Sequence, residues 1–515
     1  MLSSTIVQYP TEGDIHKKEV VVTDTVGGNT SATPEHSLKS GVLGLFDSAI
    51  MGIAGSAPAY SISATTFALF GAVLYGGPGS LLYCGFFMFG IVFAFNYLSK
   101  ADSHAGAAYS WVRRALHPIL GYLSGWALIV SALIFMVIAT FPAGSNVLQI
   151  FSNSAASNKT LITLFGAVFF LLMVGAVAAG VTLTVNVQIA MSCVEIALLL
   201  LFAGMALFHH HVTPFSWHWF SPSVFHTSSG NTFFAGALLA AFYFWGWDVT
   251  ANLNEETKAG VVDSRSKSRT STSGMGGILG TVVVFLLFEV FTIATNMVLP
   301  KGTLTNGAYS ADILSKLGQE VAPGWFGHLI VAGVLLSTIA TLETTLIQVT
   351  RTMFAMGRDE TLPASLGHVH AVRRTPIIAT AVVTIISLAL FVGSQYIGSV
   401  SNILSDGYNA IGIQICIYYG LAGYSVVILY RRQLFKSVKN FIFMGLWPLL
   451  GAIFMSVVFV KVIPPLNTTT KVVGLGSMAL GLIPMSYYWL RGNPYFLMPT
   501  KEDRHAVLLE FEQNL

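Results

Sequence analysis

The chain has 515 residues, of which 54% are hydrophobic and only 10% charged, with a mean hydropathy of +0.69. A soluble domain carries about 25% charged residues, so the composition excludes one and describes a chain that crosses a bilayer repeatedly. The net charge of +3 gives no reason to expect a nucleic-acid partner. Cys84, Cys193 and Cys416 each fall inside an apolar stretch, which argues against a disulfide framework or a thiolate zinc site.

Residues 1–40 are polar and lack the charged–apolar–cleavage pattern of a signal peptide, so they read as a disordered cytoplasmic tail. Hydropathy then predicts twelve spans, at about 41–73, 79–98, 119–149, 160–180, 183–208, 232–255, 275–299, 325–350, 375–394, 405–430, 441–463 and 471–490. A cytoplasmic tail, 491–515, follows this 41–490 domain. With the N-terminus inside, 21 of the 26 Lys and Arg residues fall in inner segments. The outer ones are Lys159, Lys301, Lys316, Lys461 and Lys471. That bias supports an even number of spans and places both termini in the cytoplasm.

The first span contains Ile53-Ala54-Gly55-Ser56-Ala57-Pro58. Gly and Ser are poor helix formers, and Pro58 biases Ala57 away from helical dihedrals. The expectation is a helix that unwinds near the membrane midplane and resumes. Bare peptide groups at such a break cannot face hydrocarbon and must meet protein, water, ion or ligand. The sixth span repeats the device in Tyr243-Phe244-Trp245-Gly246-Trp247-Asp248. Five spans apart, the two segments cross in opposite senses. Paired interruptions of that kind point to a transporter site between inverted repeats, here about 41–208 and 232–430, with the last two helices (441–490) peripheral. The amides opening the resumed first helix favour an anion, and the carbonyls closing the first half of span six favour an ammonium group. A zwitterion suits that pair of ends.

Several motifs carry a family resemblance across residues 40–430. They are Gly55-Ser56-Ala57; the run Ala105 to Pro118 with Tyr109 and Trp111; Trp245-Gly246-Trp247-Asp248 with Asn254-Glu255-Glu256; and Ser337-Thr338 to Thr341 followed by Ala355 to Pro363. In these the chain resembles the amino acid–polyamine–organocation (APC) family of secondary transporters. The resemblance implies an all-α integral membrane fold of twelve helices, built as a 5+5 inverted repeat with discontinuous helices one and six. It also implies a permease rather than an enzyme. On this reading Ala54, Gly55, Ser56, Ala57, Ser131, Tyr243, Phe244, Trp245, Gly246 and Trp247 bind substrate. Two departures stand out. Ala57 replaces the family's third glycine, and Glu195 stands where several members carry a lysine in span five.

Gln188, Ser192 and Glu195 are spaced i, i+4 and i+7 and form one polar stripe. A carboxyl in a bilayer helix is costly and marks a functional position, here a carrier of protons. The competing readings are a sodium ion held with Thr338 and Thr341, and a neutral acid bonded within the bundle. Glu343 falls about half a turn off the Ser337–Thr341–Thr344 face and is expected to meet a neighbouring helix or, alternatively, a cationic side chain of the substrate. Asp248, Glu255 and Glu256 are expected to form an inner gate, with simple anchoring as the alternative for the two glutamates, and with Arg351, Arg358 or the arginines at 113 and 114 as partners. His209-His210-His211 has neither helical spacing nor an acidic partner and reads as an interfacial loop with Trp217 and Trp219, not a metal site.

The expected activity is secondary transport of an amino acid or related amine across the cytoplasmic membrane, coupled to protons or to sodium. A polyamine or other organic cation is the alternative substrate. A receptor or channel on the same scaffold is the alternative class. The implied partners are the small-molecule substrate and the lipid bilayer, with no cofactor and no resident metal; the oligomeric state is left open.

Overall fold

A computed structural model of the chain describes residues 37–500, apart from 153, 228–229, 259, 261–269, 308–312, 395, 397–399 and 499. Most of the expected N-terminal tail, the C-terminal tail beyond residue 500, and the inner-side Lys17, Lys18, Arg265, Lys267, Arg269, Lys501 and Arg504 lie outside the described residues. Among the described residues, ten helices are long and apolar enough to cross a membrane. The first of these, Leu45–Ala101, runs for 57 residues, far beyond the roughly 20 that one crossing requires. It is three pieces: α1 (Leu45–Ser56), α2 (Pro58–Val73) and α3 (Gly77–Ala101), the last two separated by a turn of 3-10 helix at Leu74–Gly76.

The chain continues through a short α4 (Ala108–Ala115) into α5 (Pro118–Phe151), α6 (Lys159–Ala179) and α7 (Val181–Phe208). A loop with a small antiparallel ladder, His226 opposite Asn231 and Thr227 opposite Gly230, leads to α8 (Phe233–Tyr243). After four residues comes α9 (Val249–Asn252), then α10 (Thr272–Val298), the short α11 (Lys301–Leu304) and α12 (Ile313–Val321), α13 (Leu329–Arg358), α14 (Ile377–Ser394) and α15 (Val400–Leu429). Two further apolar helices, Val438–Val462 and Thr468–Leu490, complete the chain. Each opens through π-helical turns, at Phe441–Leu446 and Val472–Gly476.

The sequence dictates where these elements stop. Pro58 stands at the first position of α2, where its missing N–H costs nothing. Pro118 does the same for α5, with His117 capping it through its ring nitrogen. Asn158 caps α6 by accepting from the Leu161 amide. The long apolar faces bury α1 against α10, α13 and α7, and α5 against both α13 and α15. Small residues let these backbones approach: a Cβ on Gly144 of α5 would stand 2.9 Å from the Gly166 amide of α6. On α6 and α7 many of the exposed residues are large and apolar, among them Leu164, Leu171, Leu172, Leu183, Val194 and Leu200, as a lipid-facing surface requires.

Candidate substrate and coupling site

The first interruption is a single residue wide. Ala57 adopts the left-handed conformation (φ 47°, ψ 66°), its amide turned back to Ile53 and Ala54 of α1. Because Pro58 has no N–H, the first free donors of α2 are the amides of Ala59 and Tyr60. Both are taken by side chains from elsewhere. Ala59 donates to Oε1 of Glu195 on α7 (3.0 Å), and Tyr60 to the Ser337 hydroxyl on α13 (3.2 Å). The positive end of a helix dipole therefore rests on a fully buried carboxyl of the chain itself.

The second interruption is wider. α8 ends at Tyr243, and Gly246 has a φ of +99°, a conformation that side chains resist. The two breaks touch. A Cβ on Gly55 would stand 2.8 Å from the carbonyl carbon of Gly246, and one on Gly246 would stand 2.6 Å from that of Gly55. Only two glycines permit this backbone contact. Thr341 of α13 ties the junction further by donating to the Gly55 carbonyl (3.0 Å), while the Ser56 carbonyl accepts from Ser61. Ala54 is buried directly behind.

The four aromatic residues of the motif face different ways. Tyr243 bonds Thr66 (2.7 Å) and sets its ring edge-on to Phe288, and Phe244 stacks near Phe285. Trp245 donates to the Tyr418 hydroxyl and meets the ring of Phe135. Trp247 turns away from the break, against Phe95 and Tyr419. Tyr60, Phe135, Phe242, Trp245 and Tyr408 close over the junction as one aromatic layer, with the Tyr60 and Tyr408 hydroxyls 3.3 Å apart. Beyond that layer lies a cavity of about 700 Å³, open at the end where α2 finishes and α8 and α15 begin. Tyr408 is at its floor, and Asn402, Ser405, Asn409 and Lys461 contribute polar groups to its wall.

The opposite end is shut. Glu256 and Arg351 form a bidentate pair (3.0 and 3.3 Å) with both side chains buried. Glu255 pairs with Arg358 (2.9 Å) and accepts from the Ala105 amide (2.8 Å). Asn252 bonds the Ala105 carbonyl and Thr352, and the segment before α1 is clipped to the segment after α9 through Leu43 and Thr257. His104 in the loop before α4 has its Nε2 2.9 Å from the Arg358 guanidinium. Burial and then Arg358 hold its imidazole below the usual histidine range.

Asp248, expected with this gate, instead sits deeper. It accepts from Tyr419 (2.9 Å), Tyr418 (3.0 Å) and Gln348 (2.7 Å), three donors that lock the start of α9 onto α15 and α13. Ser131 donates to Leu128 and Thr338 to Val334, each within its own helix, so of the expected hydroxyls Thr341 is the one that reaches the break. Glu343 meets α7, where Gln188 donates to it (2.5 Å). Sequence reasoning missed Tyr60, Phe135, Tyr408, Tyr418 and Tyr419, as well as the buried carboxyl of Glu289 on α10, whose oxygens have no partner. The adjacent pair Tyr418-Tyr419 within an apolar span gave a signal; which way the two point did not follow from spacing. Among the described residues no cluster of three or more His, Cys, Asp or Glu has metal-holding geometry.

A family model described as "Amino acid permease" matches residues 43–483. The chain belongs to that family. It is 26% identical over 366 residues to the branched-chain amino acid permease BcaP of Bacillus subtilis, covering 67% of this chain and 73% of that one. It is also 26% identical over 265 residues to the serine/threonine exchanger SteT of the same organism, covering 51% and 55%. These relatives are transporters, and this chain is a multi-pass membrane permease, not an enzyme.

Proposed function

We propose that this permease is a secondary transporter that moves an amino acid across the cytoplasmic membrane by alternating access, driven by protons. The observation that carries the reading is the meeting of the two interrupted helices at Gly55 and Gly246, with Glu195 seated on the first free amide of α2, that of Ala59. On this reading Leu45–Ala101 makes two passages and the α8–α9 segment one more. Together with the other nine long helices, that gives twelve spans, ten in a 5+5 inverted arrangement and two peripheral, with both termini inside and the cavity above Tyr408 facing out.

The substrate's carboxylate is received by the backbone around Gly55, Ser56 and Ala57, whose amides are bonded back into α1 in this closed form and must first be released, and its ammonium by carbonyls near Tyr243 to Trp245. For it to enter, the glycine junction must part and the aromatic layer must open. Protonating Glu195 removes the charge from the bond that holds the start of α2, since a hydrogen bond to a charged acceptor is about twice as strong as one to a neutral acceptor. α2 is then freer to swing. Proton binding and helix movement are thereby linked, and a ligand shifts such an equilibrium only by its differential affinity for the two states. An amino acid rather than a polyamine is favoured by the substrates for which both relatives are named, branched-chain amino acids for one and serine and threonine for the other.

Purified protein in liposomes, assayed with the twenty amino acids and with putrescine and spermidine under separately imposed pH and sodium gradients, tests this. The expected result is amino acid uptake raised by external acidity and indifferent to sodium, with Glu195→Gln losing the pH response. Uptake that follows sodium alone, or an unaltered pH response in E195Q, overturns the proton assignment. Polyamine uptake in place of amino acid uptake overturns the substrate class.

A further inference from the structure

α7 and α13 run side by side, and a second carboxyl lies between them. Gln188 of α7 is fixed in orientation: its Nε2 faces the Ala340 carbonyl (2.9 Å), which only an N–H satisfies, and the same group donates to Oε2 of Glu343. That leaves four buried oxygens along this seam with no partner: Gln188 Oε1, Glu343 Oε1, Ser192 Oγ and Glu195 Oε2. Three of the four can only accept unless a carboxyl is protonated, so the seam is short of protons.

Among the described residues no cation makes up the deficit. Among the helices packed on α13, α5 and α14 contain no Asp, Glu, Lys, Arg or His, and α2 contributes only the Tyr60 phenol. α7 carries only Glu195 and α1 only Asp47, which caps its own first turn; α6 has Lys159 alone, at its first residue. The short α9 carries no charge and is preceded by Asp248, held by its three donors. Lys316 and Glu320 belong to α12, which meets α13 at Ile330, thirteen residues from Glu343. Arg351, two turns further along α13, is bound by Glu256. Two carboxyls buried to within 1% and lacking a counter-charge are held as neutral acids or take up a cation from outside.

We propose that Glu343 is a second proton-holding carboxyl, connected to Glu195 along the Gln188–Ser192–Glu195 stripe. The inference rests on the proton-coupled reading above. Helical rise puts Ser192 about 4.5 Å along the axis from Glu195 and about 6 Å from Gln188. One water between Ser192 and Glu343, held by the unpartnered oxygens of Ser192, Gln188 and Glu343, would complete the path. Once Glu343 has released its own proton at the Glu256–Arg351 end and become the anion, the proton leaves Glu195 Oε2 for the Ser192 oxygen. The hydroxyl's own proton passes to the water, and a water proton passes to Glu343 Oε1. Ser192 and the water end as they began, Glu195 becomes the anion and Glu343 the acid. Glu343 lies toward the Glu256–Arg351 end, so opening that end releases the proton on the side opposite the cavity.

The test uses full-length protein in liposomes with radiolabelled leucine and serine. Wild type, Glu343→Gln and Glu343→Asp are compared in pH-gradient-driven accumulation and in counterflow at equal pH. Glutamine mimics the protonated acid, so E343Q should lower accumulation by about tenfold or more while counterflow stays within about twofold, and E343D should recover part of the accumulation. E343Q accumulating like wild type overturns the proposal and leaves the role of Glu195 standing. Loss of counterflow in E343Q and E343D alike makes Glu343 a packing group and also overturns it. A wild type indifferent to the pH gradient removes the proton-coupled reading itself, and the relay with it.

Discussion

Replacing Gly246 with alanine tests the junction of the two breaks. The new Cβ would stand 2.6 Å from the Gly55 carbonyl carbon, about 1 Å inside ordinary contact, so one backbone must retreat. Forcing an extra methyl into close packing costs about 1–3 kcal/mol. The φ of +99° adds about 1–2 kcal/mol for any residue with a Cβ. The total for G246A is therefore about 2–5 kcal/mol. G55A meets the same wall from the other side, 2.8 Å from the Gly246 carbonyl carbon, but without the dihedral term. It should cost less, about 1–3 kcal/mol.

Both variants remove room at one shared contact, so the double variant should fall short of the sum by about 0.5–3 kcal/mol. Unfolding free energy in detergent, followed by tryptophan fluorescence for the four proteins, reads these differences. Counterflow in liposomes shows whether transport falls with them. If G246A unfolds within about 0.5 kcal/mol of wild type and transports normally, the breaks are not in contact and the reasoning fails.

Three other perturbations follow from the closed end and from Asp248. Glu256→Gln or Arg351→Met leaves one buried charge unpaired and should destabilise the protein by about 3–5 kcal/mol. The double replacement should recover most of that, measured by the same unfolding assay. Asp248→Asn puts an amide donor among three donors and should cost about 1–3 kcal/mol, more than Tyr418→Phe or Tyr419→Phe alone. His104 is held below its ordinary range when folded, so its neutral form stabilises the loop above about pH 6.5. That contribution is lost as the pH falls from 6.5 through the lowered folded value. Protease cleavage at residues 102–107 should rise over that window in wild type, and His104→Gln should flatten the response.

Both interruptions were legible because they depend on local chemistry: Pro58 after Ala57, and Gly246 between two tryptophans. The pairs Glu256–Arg351 and Glu255–Arg358 were also among the partners that sequence position allowed, since all four residues fall near or just beyond the predicted ends of spans six and eight on the same side. What spacing did not reveal is which distant groups would satisfy each break. Periodicity places Glu195 on a stripe, but only the packing of α7 against α1 brings it to the Ala59 amide. The amides that need a partner also moved. An unwound stretch was expected at residues 55–57, yet a one-residue turn leaves those amides bonded backward and exposes Ala59 and Tyr60 instead. Trp247 and Asp248 follow the same pattern. Their residue types marked a site, while their directions, toward Phe95 and toward the tyrosines of α15, were set by tertiary packing.

The most direct test of the account is a density map of the protein in lipid nanodiscs with the transported amino acid bound. The account predicts density between the two breaks, with the α-carboxylate on backbone of residues 54–57, the ammonium near the carbonyls of residues 243–245, and Gly55 and Gly246 moved apart. Ligand density confined to the cavity above Tyr408, with the glycine junction still closed in every class of particle under transporting conditions, would contradict it.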